Sequence, residues 1–295
     1  MYLVVGCGFL GSYLLKHITE NTDEKVIATV RDLKNAPKID NVEFFRCDLT
    51  DLGDFYRLAN RIKDENLKVF FLAAIHNIDI VHKYPDEAFS VNFKTAKMFI
   101  EIVPHIEKFF YASTDCVYGE GEGLKGKFCE KDELKPINDY GFQKRYIEGF
   151  VLENGYNVLR LPFMLGPSLV PTRKHFFDNI KSSLEGGKEI EMIDGFERSV
   201  LSYSQAAKIM FELSQSETQL PQIINVCGDK AYTKYEIGCI LAKKFGADLS
   251  LVKKISEQEG EKFFKDRRAH SAVMDNALLK RLLGREEIKW EEDIC

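Results

Sequence analysis

Nowhere does the chain carry an apolar run approaching the roughly 18 to 20 residues that a membrane span needs, and it shows no internal repeat or low-complexity segment. Basic charge is also in deficit. The 41 Lys and Arg stand against 46 Asp and Glu, a formal charge of -5, so no broad cationic surface is available and neither nucleic acid nor membrane is expected as a partner. The seven cysteines, at 7, 47, 116, 129, 227, 239 and 295, are odd in number, scattered and without a close CxxC pair, which fits a reducing cytosol. Together with the six histidines they show no ligand spacing, so no metal is expected. The opening "MYLVV" passes straight into glycines with no basic segment before an apolar one, so no leader is expected and the protein reads as cytoplasmic.

What is present describes an ordinary globular protein: 295 residues, 45% hydrophobic and 29% charged, enough for one large domain or two closely joined ones. Short apolar runs at 2–6, 25–30, 42–48, 68–74, 108–113 and 156–162 read as strands, and segments of helical length and periodicity separate most of them. Parallel neighbours need a crossover, so this alternation predicts a Rossmann-type doubly wound α/β fold, a parallel sheet with helices on both faces. After about residue 166 the pattern loosens, with a helix-like run at 175–186 and a strand candidate at 222–228. Thr233 and Glu236 then have capping-box spacing before another helix. We expect a dinucleotide-binding domain over 1–165 and a smaller α/β substrate lobe over 166–295, with a segment near 199–228 returning to the first domain.

"YLVVGCGFLGSYLLKH" places Gly6, Gly8 and Gly11 in GxGxxG spacing between the first strand and an amphipathic helix, with Phe9 and Leu10 inside the motif. Glycines allow a tight turn and let backbone N–H groups at the helix start approach a pyrophosphate. A lone GxGxxG is a weak signal, but its strand-to-helix setting here points to dinucleotide binding. The second strand ends "ATVRDL", where Arg31 would suit a 2′-phosphate, so NADP(H) is preferred over NAD(H). Asp32 keeps NAD open, and a solvated Arg31 is the plain alternative. Asp48 and Leu49 would lie near an adenine, and Ala73 and Ala74 are small enough for the cofactor to pass closely.

The stretch "FFYASTDCVYGEGEG" (109–123) ends an apolar strand in Ser113, Thr114, Asp115 and Cys116, and "NDYGFQKRYIEG" places Tyr140 and Lys144 four apart, on one helix face. The pair follows the strand end by about 26 residues, so strand and helix can converge. An ammonium beside a phenol favours its ionised form and draws its pKa towards working pH, and a threonine hydroxyl can bond a reacting oxygen. Together they can protonate an alkoxide as hydride arrives.

With these motifs on the page, the chain resembles an extended short-chain dehydrogenase/reductase, and within that superfamily it is most similar to the dTDP-4-dehydrorhamnose reductase branch. The likeness runs nearly end to end, through "GCGFLG", "AAIHNIDIVHKYPDEAFSVN" (73–92), "STDCVYG" (113–119), "PINDYGFQK" (136–144), "RLPFMLGP" (160–167) and "RRAHSAVMD" (267–275). It implies a catalytic set of Thr114, Tyr140 and Lys144, with the last two also touching the cofactor, and a nucleotide-sugar substrate near Asp115, Phe163, Arg198 and Arg268. Phe163 stands where epimerases and dehydratases of the superfamily often carry asparagine. Departures are Ser204 and Gln205 in place of the usual acid, and Ala269 in place of a proline. The resemblance leaves a homodimer open.

Cys116 as a nucleophile would need a base or cation to make it a thiolate, and no histidine lies close in sequence, so it reads as a quiet strand-end thiol. His76 could line the nicotinamide pocket or satisfy a local hydrogen bond. Related dehydratases read Thr-Asp-Glu where this chain reads Thr114, Asp115, Cys116. A thiol is a poor substitute for that glutamate, so reduction is favoured over dehydration. The expectation is therefore an NADPH-dependent reductase of a 4-keto-6-deoxy nucleotide sugar. The alternatives are a 4-epimerase that retains NAD, or a non-catalytic cofactor-binding regulatory subunit such as the reductase-like partner of methionine adenosyltransferase.

Overall fold

The computed structural model of the chain describes residues 1–123, 126–291 and 294; Cys295 lies outside them. Six strands, β1 (Tyr2–Val5), β2 (Val26–Val30), β3 (Val42–Arg46), β4 (Leu67–Phe71), β5 (Ile106–Thr114) and β6 (Asn157–Leu161), answer the six apolar runs. With Ile223–Asn225 they form one parallel sheet in the order Ile223–Asn225, β6, β5, β4, β1, β2, β3. All of β1 is buried because both faces are covered, the condition that produces continuous rather than alternating apolar strands. Tyr2 and Val4 point into a core with the helices Phe9–Asn21 and Tyr203–Ser214, whereas Leu3 and Val5 point into a core with the helices Leu52–Ile62, Thr95–Ile102 and Asp139–Glu153.

Several strands are shorter than their apolar runs. β1 stops at Val5 because Gly6 takes φ +92°, and β4 stops at Phe71, opposite Val5, so Ala73 and Ala74 lie beyond the ladder. Strand order reverses beside β1, which has β4 on one side and β2 on the other. Such a switch point opens a crevice at the strands' carboxyl ends.

The rest of the chain adds a second body. Its four-stranded sheet joins Phe163–Leu165, Glu197–Ser202, Ala231–Tyr232 and Ser271–Ala272, and a parallel pair joins Ile190–Asp194 to Val252–Ser256. The helices Phe176–Glu185 and Lys234–Lys244 pack with these around Leu165, Phe177, Ile237, Leu241 and Trp290. Thr233 and Glu236 form the expected reciprocal cap. No helix among the described residues is long and apolar enough to cross a membrane.

Candidate active site

One cleft of about 800 Å³ runs along the carboxyl ends of the sheet strands. Its lining includes Gly6, Gly8, Phe9, Leu10, Gly11, Arg31, Asp48, Leu49, Ala73 and Ala74 at one end and Thr114, Asp115, Tyr140, Lys144, Phe163, Arg198 and Arg268 at the other. Every site residue expected from the sequence therefore faces the same space.

The glycines differ in what they permit. A Cβ on Gly6 would lie 2.6 Å from the Ala73 backbone, and one on Gly11 would lie 3.0 Å from the Gly6 carbonyl oxygen, so both serve close packing. A Cβ on Gly8 would project into the open cleft, with only the Arg173 guanidinium within reach at 3.8 Å. The helix Phe9–Asn21 begins at Gly8 with no side-chain cap and no acid in its first turn, which leaves its N–H groups and positive dipole end free for an anionic group. Such a cradle fits a dinucleotide's diphosphate. Arg31 lines the cleft, whereas the Asp32 carboxylate is engaged elsewhere, accepting the Lys34 N–H at 3.0 Å and capping the turn Leu33–Asn35. Asp48 accepts from the Thr50 hydroxyl at 2.7 Å and its N–H at 3.0 Å, and these bonds hold its carboxyl below the usual range.

At the other end, Gly141 sets the geometry. A Cβ there would lie 2.5 Å from the Cys116 carbonyl oxygen, so only glycine lets the helix Asp139–Glu153 dock this closely on the end of β5. Asn138 caps that helix through the Gly141 N–H, and its Nδ2 donates to the Arg267 carbonyl at 3.1 Å. Tyr140 is 7% exposed, and its hydroxyl has no hydrogen-bond partner among the described residues. Lys144, 2% exposed, donates to the Tyr111 hydroxyl at 2.8 Å and to the Ala112 carbonyl at 2.6 Å.

This geometry corrects one expectation. Lys144 was expected to draw the tyrosine's pKa down, but it is bonded to Tyr111, and the Tyr140 phenol is pushed well up, by burial first and then by Cys116 and Asp115. Burial also pushes Lys144 down to about 7, against the opposing effect of Glu148. Thr114 donates to Asp115 Oδ1 at 3.0 Å and accepts the Cys116 N–H at 3.2 Å. Cys116 is pushed up to about 11, by burial first and then by Asp115, so it is a thiol and not a thiolate at neutral pH.

Two residues expected to face the substrate pair with each other, Arg198 donating to Asp115 Oδ2 at 3.2 Å. Arg268 donates to Asp79 Oδ1 at 2.8 Å, and the Phe163 ring meets Phe176 edge-on with centroids 5.5 Å apart. His76 lines the cleft and is lowered by burial, then by Arg173 and Lys144. His82, Asp139 and Asp266 bring one ligand atom each within 4.8 Å of one another, a grouping their sequence spacing conceals. That cluster is tied together by His82 Nδ1 to Asp139 Oδ2 at 3.0 Å and by the Asp139 N–H to Asp266 Oδ2 at 3.2 Å.

Sequence reasoning passed over several supporting residues. Buried Asn92 accepts the Ile75 N–H at 2.8 Å and donates to the Ile75 carbonyl and to Gln143, pinning the loop that carries Ala73, Ala74 and His76. Glu148 and Arg160 form a buried pair beneath the site. Arg173 stacks over the Phe9 ring at 5.1 Å, and Lys234 lines the cleft. Arg160 had a visible signal, a charge inside the apolar run "YNVLRLP". For Asn92 no local pattern exists.

Comparison with known proteins agrees with this geometry, since the RmlD substrate binding domain matches residues 1–295. The chain belongs to the RmlD substrate-binding-domain family. Among curated proteins, the RmlD-family chain is 26% identical over 194 residues to methionine adenosyltransferase 2 subunit beta of Bos taurus, covering 63% of this chain and 56% of that one. It thus spans little more than half the length of that relative. Over 157 residues it is 26% identical to dTDP-D-glucose 4,6-dehydratase of Mus musculus, covering 50% of this chain and 43% of that one. A solved structure described as a hypothetical dTDP-4-dehydrorhamnose reductase from Sulfolobus tokodaii superposes with a TM-score of 0.80 at 22% identity, each chain covered over 100%. At this identity the superposition speaks for the fold.

Proposed function

We propose that this chain is a cytoplasmic NADPH-dependent reductase of a 4-keto-6-deoxy nucleotide sugar. The observation that carries the reading is the convergence of the glycine turn and the Thr114, Tyr140, Lys144 set on one cleft at the strand-order switch. Gly6, Gly8, Phe9, Leu10 and Gly11 would hold the cofactor diphosphate, Arg31 its 2′-phosphate, and Asp48 and Leu49 its adenine, while Ala73 and Ala74 leave it room. Arg31 lines the cleft while Asp32 does not, its Oδ1 capping the turn Leu33–Asn35, and this favours NADP over NAD. When bound, the cofactor supplies hydride to a carbonyl carbon.

The chain's own residues handle the proton. Tyr140, kept neutral by burial and with an unbonded hydroxyl, is a proton donor to the sugar oxygen. Thr114 would donate a hydrogen bond to the same oxygen. Lys144 would hold the cofactor ribose, and a negative charge developing nearby raises its depressed pKa and returns it to the ammonium form. Phe163 would bound the sugar, Asp115 orient it, and Arg198 and Arg268 meet the substrate diphosphate. Dehydration lacks support, because Cys116 stays protonated where that reaction needs a carboxylate base.

The likeness to methionine adenosyltransferase 2 subunit beta keeps a non-catalytic reading in view, but the intact Thr-Tyr-Lys set favours an enzyme. Purified protein is expected to oxidise NADPH with at least one member of a panel of 4-keto-6-deoxy nucleotide sugars. No consumption across the panel overturns the reading. Tightly retained NAD with no net consumption points instead to an epimerase.

A further inference from the structure

Besides Lys144, which is bonded to Tyr111 and Ala112, three cations line the substrate end of the cleft, and two of them are neutralised. Arg198 bonds Asp115 at 3.2 Å and Arg268 bonds Asp79 at 2.8 Å, so each pair contributes no net charge. Lys234 differs. Among the described residues its ammonium makes no hydrogen bond and no ion pair; Nζ lies 5.8 Å from the centroid of the Phe176 ring and 5.7 Å from that of Phe264.

That placement is unfavourable for an isolated lysine. It is the first residue of the helix Lys234–Lys244, where the dipole disfavours a cation. Its pKa is lowered by burial first and then by Arg268 and Arg198. Two aromatic faces recover part of this cost, but they cannot replace an anion. Of these three cations, then, Lys234 is the one without an anionic partner among the described residues.

We propose that Lys234 is the primary receptor for the substrate's diphosphate, and that Arg198 and Arg268 engage the ligand only by sharing or exchanging their carboxylate partners. The inference rests on reading the cleft as a nucleotide-sugar site. It adds a residue of the helix Lys234–Lys244 to the binding set and orders the three cations: the unpaired lysine first, the paired arginines second.

Calorimetric titration of the full chain with UDP, dTDP, UMP and dTMP, in two buffers of different ionisation enthalpy, tests it. Losing one charge-assisted contact is expected to weaken UDP or dTDP binding by about ten-fold or more in Lys234→Met, with a smaller loss for the monophosphates. Lys234→Arg is expected to restore most of the affinity. At alkaline pH below the ordinary lysine range, diphosphate binding to the wild type should take up protons, because an anion raises a depressed lysine pKa, and the uptake should vanish in Lys234→Met. Unchanged NADPH affinity in the variants shows that the cleft is folded. Diphosphate binding by Lys234→Met within about two-fold of wild type, or wild type that binds none of the four ligands, overturns the inference. Lys234-dependent diphosphate binding without any reduction of keto sugars would leave it standing while sinking the reductase reading.

Discussion

Glu148 and Arg160 form a buried ion pair, 2.8 Å between Arg160 Nη2 and Glu148 Oε2, each side chain 2% exposed. Glu148 sits four residues after Lys144 on the same helix, and Arg160 is on β6. Ser113, beside Thr114, also donates to Glu148, while Arg160 donates to the Tyr118 hydroxyl at 2.8 Å and Tyr118 donates to Asn225 at 2.7 Å. The pair therefore ties the helix Asp139–Glu153, the end of β5 and two neighbouring strands into one network. Removing one partner leaves a buried charge uncompensated, which costs about 3–5 kcal/mol. Arg160→Leu is expected to lose that much stability in urea denaturation, and Glu148→Leu combined with Arg160→Leu to recover most of it. Equal losses in the single and double variants would show that packing, not charge, is what the pair supplies.

Lys144 makes stability depend on pH. Its folded pKa of about 7 lies below the ordinary lysine value, so the unfolded chain binds more protons between the two. Stability from this group therefore rises with pH from about 7 towards about 10, and the cost of the buried ammonium is greatest below that window. In Lys144→Met the rise across the window should flatten, as read from denaturation midpoints at several pH values. A slope identical to wild type would mean that the lysine is solvated well enough to keep its ordinary pKa.

Arg31 is expected to carry cofactor choice. It lines the cleft, whereas the adjacent Asp32 does not and instead accepts the Lys34 N–H at 3.0 Å. Arg31→Ala should weaken NADPH by about ten-fold or more while leaving NADH within about two-fold, the pattern of one lost guanidinium–phosphate contact. Equal losses for both cofactors would assign the arginine to the shared part of the molecule.

Much of this was legible in the sequence, because strand periodicity, the glycine spacing and the Tyr140–Lys144 interval are local patterns that a parallel sheet translates directly into positions on one edge. The partners of those residues were not legible. Asn92 reaches Ile75 and Gln143, Arg198 reaches Asp115 across 83 residues, and Lys144 turns to Tyr111 and not to Tyr140. Each is a tertiary contact with no local signature. The pKa reversal at Tyr140 has the same origin, since burial depends on what packs over the residue and not on its neighbours four positions away.

Gly141 offers the sharpest test of how tightly the site is held. In an exposed helix, glycine to alanine would stabilise by about 1 kcal/mol through propensity alone. Here the added Cβ would lie 2.5 Å from the Cys116 carbonyl oxygen and 2.9 Å from Pro136 Cβ, and a backbone oxygen cannot swing aside as a side-chain tip can. The helix must move off β5, carrying Tyr140 away from Thr114. Overpacking of this kind costs about 1–3 kcal/mol, which reverses the sign expected from propensity. A displacement approaching 1 Å at the reacting groups lowers kcat by about 100-fold. Gly141→Ala should therefore both melt earlier and lose most of its turnover. A variant that melts later than wild type with turnover intact would show that the contact relaxes, and that Tyr140 is positioned by something other than this close approach.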